Sequence, residues 1–198
     1  MVTIKSFDSG LNVFYTINNS VPSTQSEKYS EPFLLNKKAI VKAVIIDPAT
    51  GKKSPVTTAE FDIPHTKWNL TGKTGLETNA ENSIDGNPAS ALSLSQELPV
   101  DFIIDLAEPY RLEGFKYLPD QGRWNPGIIF NYEFYVSSDG KNWGGPVSKG
   151  EFSNIKNSPV WQEKEVEPVS GRFIKLRALS SAEENGRVGM AELDVITE

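Results

Sequence analysis

The sequence predicts an all-β chain made of two domains, a small immunoglobulin-like sandwich followed by a jelly-roll-like β-sandwich. Gly (15 residues) and Pro (13) are frequent among the 198 residues, and turn-forming residues recur between short β-rich segments. No segment keeps the 3.6-residue periodicity of an amphipathic helix. Around Pro64 a strand-like segment ends and polar residues follow, so we place the boundary between residues 1–64 and residues 65–198.

The first domain contains short strand-like segments separated by turns. Its best candidate for a central strand is residues 40–46 (IVKAVII), which a turn at residues 47–51 follows. Five strands in about 60 residues favour a small sandwich. The segments are residues 3–7, 12–18, 31–35, 39–46 and 56–63.

The second domain continues this pattern with longer segments. In residues 131–137, Tyr132, Phe134 and Val136 alternate with Glu133 and Tyr135, which predicts one buried face. About 130 residues of such strands favour a jelly-roll-like sandwich. Strands are predicted for residues 101–106, 111–118, 128–137, 161–166, 172–179 and 191–196.

Composition and charge exclude several classes of partner. Residues 66–198 carry 13 basic and 20 acidic side chains without a basic cluster, so nucleic acid is not an expected partner. No apolar run approaches the roughly 20 residues that span a bilayer, so we expect no membrane span. Cysteine is absent, which excludes disulfides and thiolate zinc sites. Because no signal peptide follows Met1, we expect a fragment of a longer exported protein.

Catalytic patterns are also absent from the sequence. There is no GxGxxG, P-loop or HExxH motif, and Ser–His–Asp chemistry would depend on His65, the only histidine. His65 lies in the predicted linker, where we expect a solvated spacer residue. Glycoside hydrolysis needs two carboxylates across a cleft, whereas most acidic residues here fall in turns or on alternating strand faces. We therefore expect a non-catalytic chain.

Motifs of the first domain resemble a known family. Residues 13–18 (VFYTIN), followed by Pro22, Tyr29, Pro32 and residues 41–43 (VKA), are similar to the small Ig-like domain that follows the catalytic domain in bacterial hexosaminidases and fucosidases. That family's Asp-Gly turn is Asn-Asn at residues 18–19 here. The resemblance implies a spacer without chemistry of its own.

A set of motifs in the second domain keeps its order and spacing over about 130 residues. These motifs resemble the discoidin-like (coagulation factor V/VIII C-type) fold, and most closely the family 32 carbohydrate-binding modules. They are DGNPAS (residues 85–90), IIDL (103–106), YLP (117–119), YEFYVSSDGKNW (132–143), RFIKL (172–176) and AEL (191–193).

The first of these motifs concentrates acid, amide and hydroxyl oxygens in a loop around Gly86. Ca²⁺ takes six to eight such oxygens, but one loop rarely supplies them all, so the loop alone is also compatible with an ordinary turn. The resemblance implies a structural calcium ion. Its ligands would be Asp85, Asn87, Ser90 and Glu192.

The ligand face departs from the galactose-binding relatives of this family. Leu92, Ser93 and Asp120 stand where those relatives have Trp, His and Arg, while Asn125 matches their Asn. An aromatic ring with a few polar groups is typical of a sugar site. Trp124 either has that role or packs on its own sandwich, as we expect of Trp143 and Trp161. The candidate ligand-binding residues are Asp120, Arg123, Trp124 and Asn125.

Residues 118–143 also resemble the tail of bacterial family 29 α-L-fucosidases. Together, the resemblances imply a non-catalytic accessory region of a secreted glycoside hydrolase that binds a terminal galactose- or fucose-containing glycan weakly and holds a structural calcium ion. They imply a secreted, periplasmic or cell-surface location in a bacterium. The alternative is a structural module that packs against the catalytic domain of the parent α-L-fucosidase and stabilises it without binding sugar.

Overall fold

Antiparallel strands make up most of the regular structure in a computed structural model that describes residues 1–6, 11–71, 79–122, 127–182 and 187–198. Contacts divide the chain into two units, Met1–Pro64 and His65–Glu198. Within the described ranges the helical segments are two short 3-10 helices, His65–Lys67 and Ala80–Ser83. No helix in these ranges has the length and apolar character needed to cross a membrane. The predicted all-β fold class is confirmed.

The first unit is built on a four-stranded antiparallel sheet. Its strands are β1 (Asn12–Thr16), β2 (Glu27–Lys28), β3 (Ala39–Ile46) and β4 (Thr57–Phe61), in the order β2-β1-β3-β4. As predicted, β3 is central, because it pairs with β1 on one side and β4 on the other. Its Val41 lies on the same buried face as Val13 and Tyr15, and the Tyr15 ring stacks on Phe33 with centroids 4.6 Å apart.

Two predicted strands of this unit do not form. Residues 3–6, the described part of one, lie outside any strand, and residues 31–35 contribute only an isolated bridge between Val2 and Phe33. Pro32 has no N–H to donate, which explains why a ladder does not extend through this segment. The edge strand β2 was not predicted, since its two residues are both exposed and carry no alternation.

The second unit contains a six-stranded antiparallel sheet and a small two-stranded sheet. The strands are β5 (Asn69–Leu70), β6 (Leu92–Ser95), β7 (Val100–Leu118), β8 (Asn131–Ser137), β9 (Ser148–Glu151), β10 (Gln162–Ala178), β11 (Arg187–Met190) and β12 (Glu192–Thr197). The large sheet runs β12-β7-β10-β8-β9, with β5 also paired to β7, and β11 pairs with β6. These sheets agree with the jelly-roll-like β-sandwich that the sequence predicts.

Pairs of predicted strands merge into two long ones in the large sheet. The predicted strands at 101–106 and 111–118 form β7, and those at 161–166 and 172–179 form β10. The ladder between them shifts register twice, and Ala107 takes a left-handed φ of 69°. Asp105 stabilises this bend, because it accepts a hydrogen bond from the Ala107 N–H at 2.8 Å and two from Arg172 at 2.7 Å.

Aromatic side chains fill the core beneath this sheet. Tyr132 and Phe134 are buried as predicted, and the Phe115 ring stacks on Phe134 at 4.0 Å between centroids. Tyr135 points to the opposite face but is also buried, since the Lys175 ammonium lies 4.1 Å from its ring centroid. The sheet therefore provides a rigid frame from whose ends the loops project.

Candidate functional site

The loop that carries Asp85 is shaped by its own side chains. Asp85 accepts a hydrogen bond from the backbone N–H of Asn87 at 2.7 Å through Oδ1, and one from the Ser90 hydroxyl at 2.8 Å through Oδ2. Gly86 takes a left-handed φ of 74°, which a residue without Cβ adopts at little cost. Such Asx turns direct carboxylate and amide oxygens to one side of a loop.

Glu192 reaches this loop from the start of β12. Its side chain hydrogen-bonds to the carboxyl of Asp85, although Glu192 is only 2% exposed. Burial, followed by the hydrogen bond to Asp85 and its negative charge, raises the pKa of Glu192 to about 8. Its Oε1 is buried and has no hydrogen-bond partner among the described residues. The two carboxyls thus face each other, and Oε1 of Glu192 can still accept a hydrogen bond or bind a cation.

The fold therefore brings together the four residues predicted to hold calcium. Asp85, Asn87 and Ser90 share one turn, and Glu192 closes it from a strand about 100 residues later. The donor set fits Ca²⁺, because it offers two carboxylates, an amide and a hydroxyl, together with an unpartnered buried oxygen. In the described ranges, no group of three or more His, Cys, Asp or Glu side chains is placed to hold a metal ion.

The expectation that His65 is a solvated spacer residue is wrong. Its ring lies 2.9 Å from Asp194 Oδ1 through Nε2 and 3.0 Å from the Ile84 carbonyl oxygen through Nδ1, and it stacks on Trp68 with centroids 3.9 Å apart. Burial lowers the pKa of His65, but the hydrogen bond to Asp194 and the charge of Asp194 outweigh it and raise the pKa. His65 thus joins the residue before Asp85 to β12, the strand that carries Glu192.

A second cluster of hydrogen bonds joins the loops where β7 ends and β10 begins. The Gln121 side-chain amide donates to the carbonyl oxygens of Pro119 at 2.7 Å and Pro159 at 2.9 Å. The Lys156 ammonium donates to the Ala182 carbonyl at 3.1 Å. These bonds hold three loops together at one end of the sandwich. We call this surface the loop rim; it comprises residues 119–122, 154–161 and 179–182.

Buried hydrogen bonds tie the end of β7, just before the loop rim, to two other segments. The Tyr117 hydroxyl donates to the Gly189 carbonyl at 3.1 Å and accepts from the Ile129 N–H at 2.9 Å. Complete burial raises the pKa of Tyr117, so the hydroxyl stays neutral. The backbones of Ile129 and Gly189 are therefore held to β7 by one satisfied buried group.

One of the predicted ligand-binding residues lies in the described part of the loop rim. Asp120 is half-buried, and its Oδ1 accepts a hydrogen bond from the Gly122 N–H at 2.8 Å. The other three, Arg123, Trp124 and Asn125, lie outside the described residues. At the positions that depart from the galactose-binding pattern, Leu92 is a core residue at 1% exposure and Ser93 is exposed.

The sequence pattern does not indicate that Trp161 is a surface residue. Trp143 packs on the sheet as expected, with the Lys175 ammonium 4.7 Å from its ring centroid. Trp161 was expected to do the same, but it is 40% exposed, and the adjacent Val160 is 56% exposed. Pro159 marks a loop before the strand, which is the one sequence signal that this tryptophan lies at a strand end.

Comparisons with known proteins match both units. The model of the family described as F5/8 type C domain matches residues 65–193, and that described as Fn3 associated matches residues 2–61. Over 140 residues the chain is 28% identical to a galactose oxidase of Gibberella zeae, a match that covers 67% of this chain and 20% of that protein. Over 123 residues it is 30% identical to a sialidase of Micromonospora viridifaciens, covering 59% and 18%. The chain thus spans about a fifth of these curated relatives.

A solved structure resembles the second unit over its whole length. CpGH89CBM32-5 from Clostridium perfringens, determined in complex with GalNAc-β-1,3-galactose, is 28% identical to this chain with a TM-score of 0.58. The match covers 68% of this chain and 98% of that one. The shared fold is that of carbohydrate-binding modules, a non-catalytic class of domain.

Proposed function

The chain belongs to the F5/8 type C domain family through residues 65–193, and from that premise we propose that its second unit is an accessory module that binds glycans at the loop rim. The observation that carries the proposal is the match to CpGH89CBM32-5, which covers 98% of a module solved with GalNAc-β-1,3-galactose. The rim offers what a sugar site needs, namely polar side chains on loops that a rigid sheet holds in place.

Binding is expected to be weak. Ser93 and Asp120 replace two of the polar residues with which galactose-binding relatives hold their ligand, so fewer directed hydrogen bonds remain. Asp120 would contact hydroxyl groups of the sugar, and Arg123, Trp124 and Asn125 complete the proposed set. Hydroxyl donors suit a carboxylate acceptor, which favours a neutral, terminal galactose- or fucose-containing glycan over an acidic one.

Calorimetric titration of the full chain tests this function. We expect GalNAc-β-1,3-galactose or a fucosylated oligosaccharide to bind with Kd of about 1 mM, equivalent to about −4 kcal/mol. Asp120→Ala should reduce the affinity several-fold. Lys141→Ala should leave it unchanged, because Lys141 lies in the turn that follows β8, whereas Ser180 of the loop rim bonds to Asn131 at the start of that strand. Absence of heat with both glycans at concentrations well above 1 mM would overturn the glycan-binding proposal.

The same unit is proposed to hold a structural calcium ion. Asp85, Asn87, Ser90 and Glu192 would be its side-chain ligands, and the unpartnered Oε1 of Glu192 supports this assignment. When bound, the ion would neutralise two facing carboxyls and join a loop to β12, much as a disulfide would in a chain that has no cysteine. A calcium-dependent rise in melting temperature tests the proposal.

The parent protein is proposed to be an exported bacterial glycoside hydrolase, of which an α-L-fucosidase is the first candidate. Support comes from the similarity of residues 118–143 to fucosidase tails and from the carbohydrate-acting curated relatives, a galactose oxidase and a sialidase. Residues 1–64 would then be the Ig-like spacer between the catalytic domain and the second unit. Sequencing the genomic region that encodes residue 1 tests the assignment, because an upstream fucosidase domain is expected.

A groove in the first unit supports a second candidate function, in which the chain stabilises the parent catalytic domain without binding sugar. The groove has a volume of about 250 Å³ and is lined mainly by apolar side chains, including Val2, Ile4, Val41 and Phe61. Apolar concave surfaces are typical of packing interfaces. This candidate is favoured if no glycan binds and if the parent enzyme melts at a lower temperature after residues 1–198 are deleted.

A further inference from the structure

Trp161 exposes a large apolar surface at the loop rim. Its side chain is 40% exposed, and its indole makes neither a hydrogen bond nor a ring contact with the residues that the structure describes. Tryptophan is highly buried on average, because exposing its ring forgoes much of the free energy that burial would supply. By comparison, Trp68 is 8% exposed and the face of Trp143 meets Lys175. Trp161 is therefore the exception among the three described tryptophans.

The backbone around Trp161 is held rigidly. Trp161 directly precedes β10, whose first residue, Gln162, pairs with Tyr117 in β7. On the other side, the Ser158 N–H donates to the Asn154 carbonyl at 2.9 Å, and the Pro159 carbonyl accepts from Gln121 at 2.9 Å. An aromatic ring presented from such a fixed backbone loses little conformational freedom when a ligand covers it.

The Gln121 side chain is bonded to the loop that carries Trp161. Its amide nitrogen donates to the carbonyls of Pro119 and Pro159, while its Oε1 makes no hydrogen bond with the described residues. Asp120, which precedes it in the same turn, contributes a carboxylate. A pyranose stacks its C–H face on an aromatic ring while its hydroxyls donate to acceptor oxygens, so a rim that offers both kinds of group suits a sugar.

We propose that Trp161 is a stacking platform for a pyranose ring of the glycan that binds at the loop rim, with Gln121 Oε1 as an acceptor for one of its hydroxyls. The inference rests on the proposed glycan-binding function and deepens it. A stacking contact from Trp161 does not depend on Leu92, Ser93 or Asp120. This gives the module an aromatic contact that its departures from the galactose-binding pattern do not remove.

Titration of Trp161 variants of the full chain with GalNAc-β-1,3-galactose tests the proposal. Trp161→Ala should weaken binding about fivefold to tenfold, as expected for loss of one aromatic stacking contact. Trp161→Phe keeps a smaller aromatic ring, so it should weaken binding by only about twofold to threefold. Val56→Ala is the matched control, because Val56 is similarly exposed at 39% but is aliphatic and belongs to the first unit, so the affinity of this variant should equal that of the unmodified chain.

Indole fluorescence gives a second readout in the same titration. Binding should shift the emission of the unmodified chain to shorter wavelength, and this shift should be smaller in Trp161→Phe, in which Trp124 of the proposed site remains. If the parent chain binds and both Trp161 variants bind equally well, the stacking role is wrong and the glycan-binding function stands. If the parent chain binds neither a disaccharide nor a longer fucosylated glycan, the proposed function fails and this inference fails with it.

Discussion

The carboxyl of Glu192 is buried with an unpartnered oxygen and faces a second carboxyl. Burying a polar atom without a hydrogen bond costs about 1–3 kcal/mol, and the presence of Asp85 adds to the cost when both groups are charged. A divalent cation would remove both penalties at once. At the scale of single residues, Glu192 therefore carries the calcium proposal.

Replacing Glu192 with Gln separates the free-energy cost of burying the carboxyl from its proposed role as a calcium ligand. Glu192→Gln keeps the shape and removes one of the two facing carboxyls, so we expect the melting temperature in EDTA to be equal to or above that of the parent chain. In the presence of calcium, the variant should not show the rise in melting temperature that the unmodified chain shows. Thermal melts with and without calcium measure both effects.

The exposed Glu97 supplies the control for that experiment. Glu97→Gln changes the same functional group at the surface of the second unit, so its calcium response should match that of the parent chain. The ligand role of Glu192 is contradicted if Glu192→Gln is stabilised by calcium as strongly as Glu97→Gln is.

At the scale of elements, the pairing of β6 with β11 brings two backbones into close contact. A Cβ at Gly189 would lie 2.1 Å from the Leu92 carbonyl oxygen and 2.9 Å from the Ser93 Cα. Backbone atoms cannot give way as a flexible side chain can. The Gly189 carbonyl also accepts the hydrogen bond from the Tyr117 hydroxyl, so a shift there disturbs a buried bond to the end of β7.

We expect Gly189→Ala to lower the free energy of unfolding by about 3 kcal/mol, the upper range for overpacking in a buried site. Gly145→Ala is the control, because nothing lies within 4 Å of its Cβ position, and its effect should stay within about 0.5 kcal/mol. Urea denaturation of both variants measures the difference. Equal stability of the two would show that β6 and β11 are not this close.

The long strands β7 and β10 show what a local sequence pattern can and cannot predict about secondary structure. The sequence pattern predicts separate strands on either side of residues 107–110 and 167–171, where charged residues, Pro and Gly occur. In the structure β7 and β10 continue through these stretches with register shifts, since each strand supplies the partner for the other's backbone. Local sequence located the strand residues correctly, but it could not reveal a ladder that depends on pairing between distant segments.

At the scale of the whole molecule, calcium should act on one unit only. Asp85 and Glu192 both belong to His65–Glu198, and each unit has its own apolar core. With free calcium at about 100 times its Kd, the bound state gains about 2.7 kcal/mol, which corresponds to a rise of about 10 °C for a domain of this size.

Scanning calorimetry of the full chain measures this effect. Two transitions are expected, of which one moves up in calcium and returns in EDTA while the other stays in place. Addition of magnesium at the same concentration is the control, because Mg²⁺ demands a smaller octahedral site and keeps several waters. The structural-calcium proposal is wrong if neither transition responds to calcium or EDTA.

Alternation and turn chemistry lie in neighbouring residues, so the local sequence predicts the all-β class, a boundary near Pro64 and the central place of β3. The resemblance to a known family also groups Asp85, Asn87, Ser90 and Glu192 as one set. The burial of Glu192 with an unpartnered oxygen and the bond of His65 to Asp194, 129 residues away, follow only from the folded structure. The exposure of Trp161 at the loop rim is likewise visible only there. Burial and long-range contact depend on which segments the fold packs together, and no local pattern in the chain encodes that.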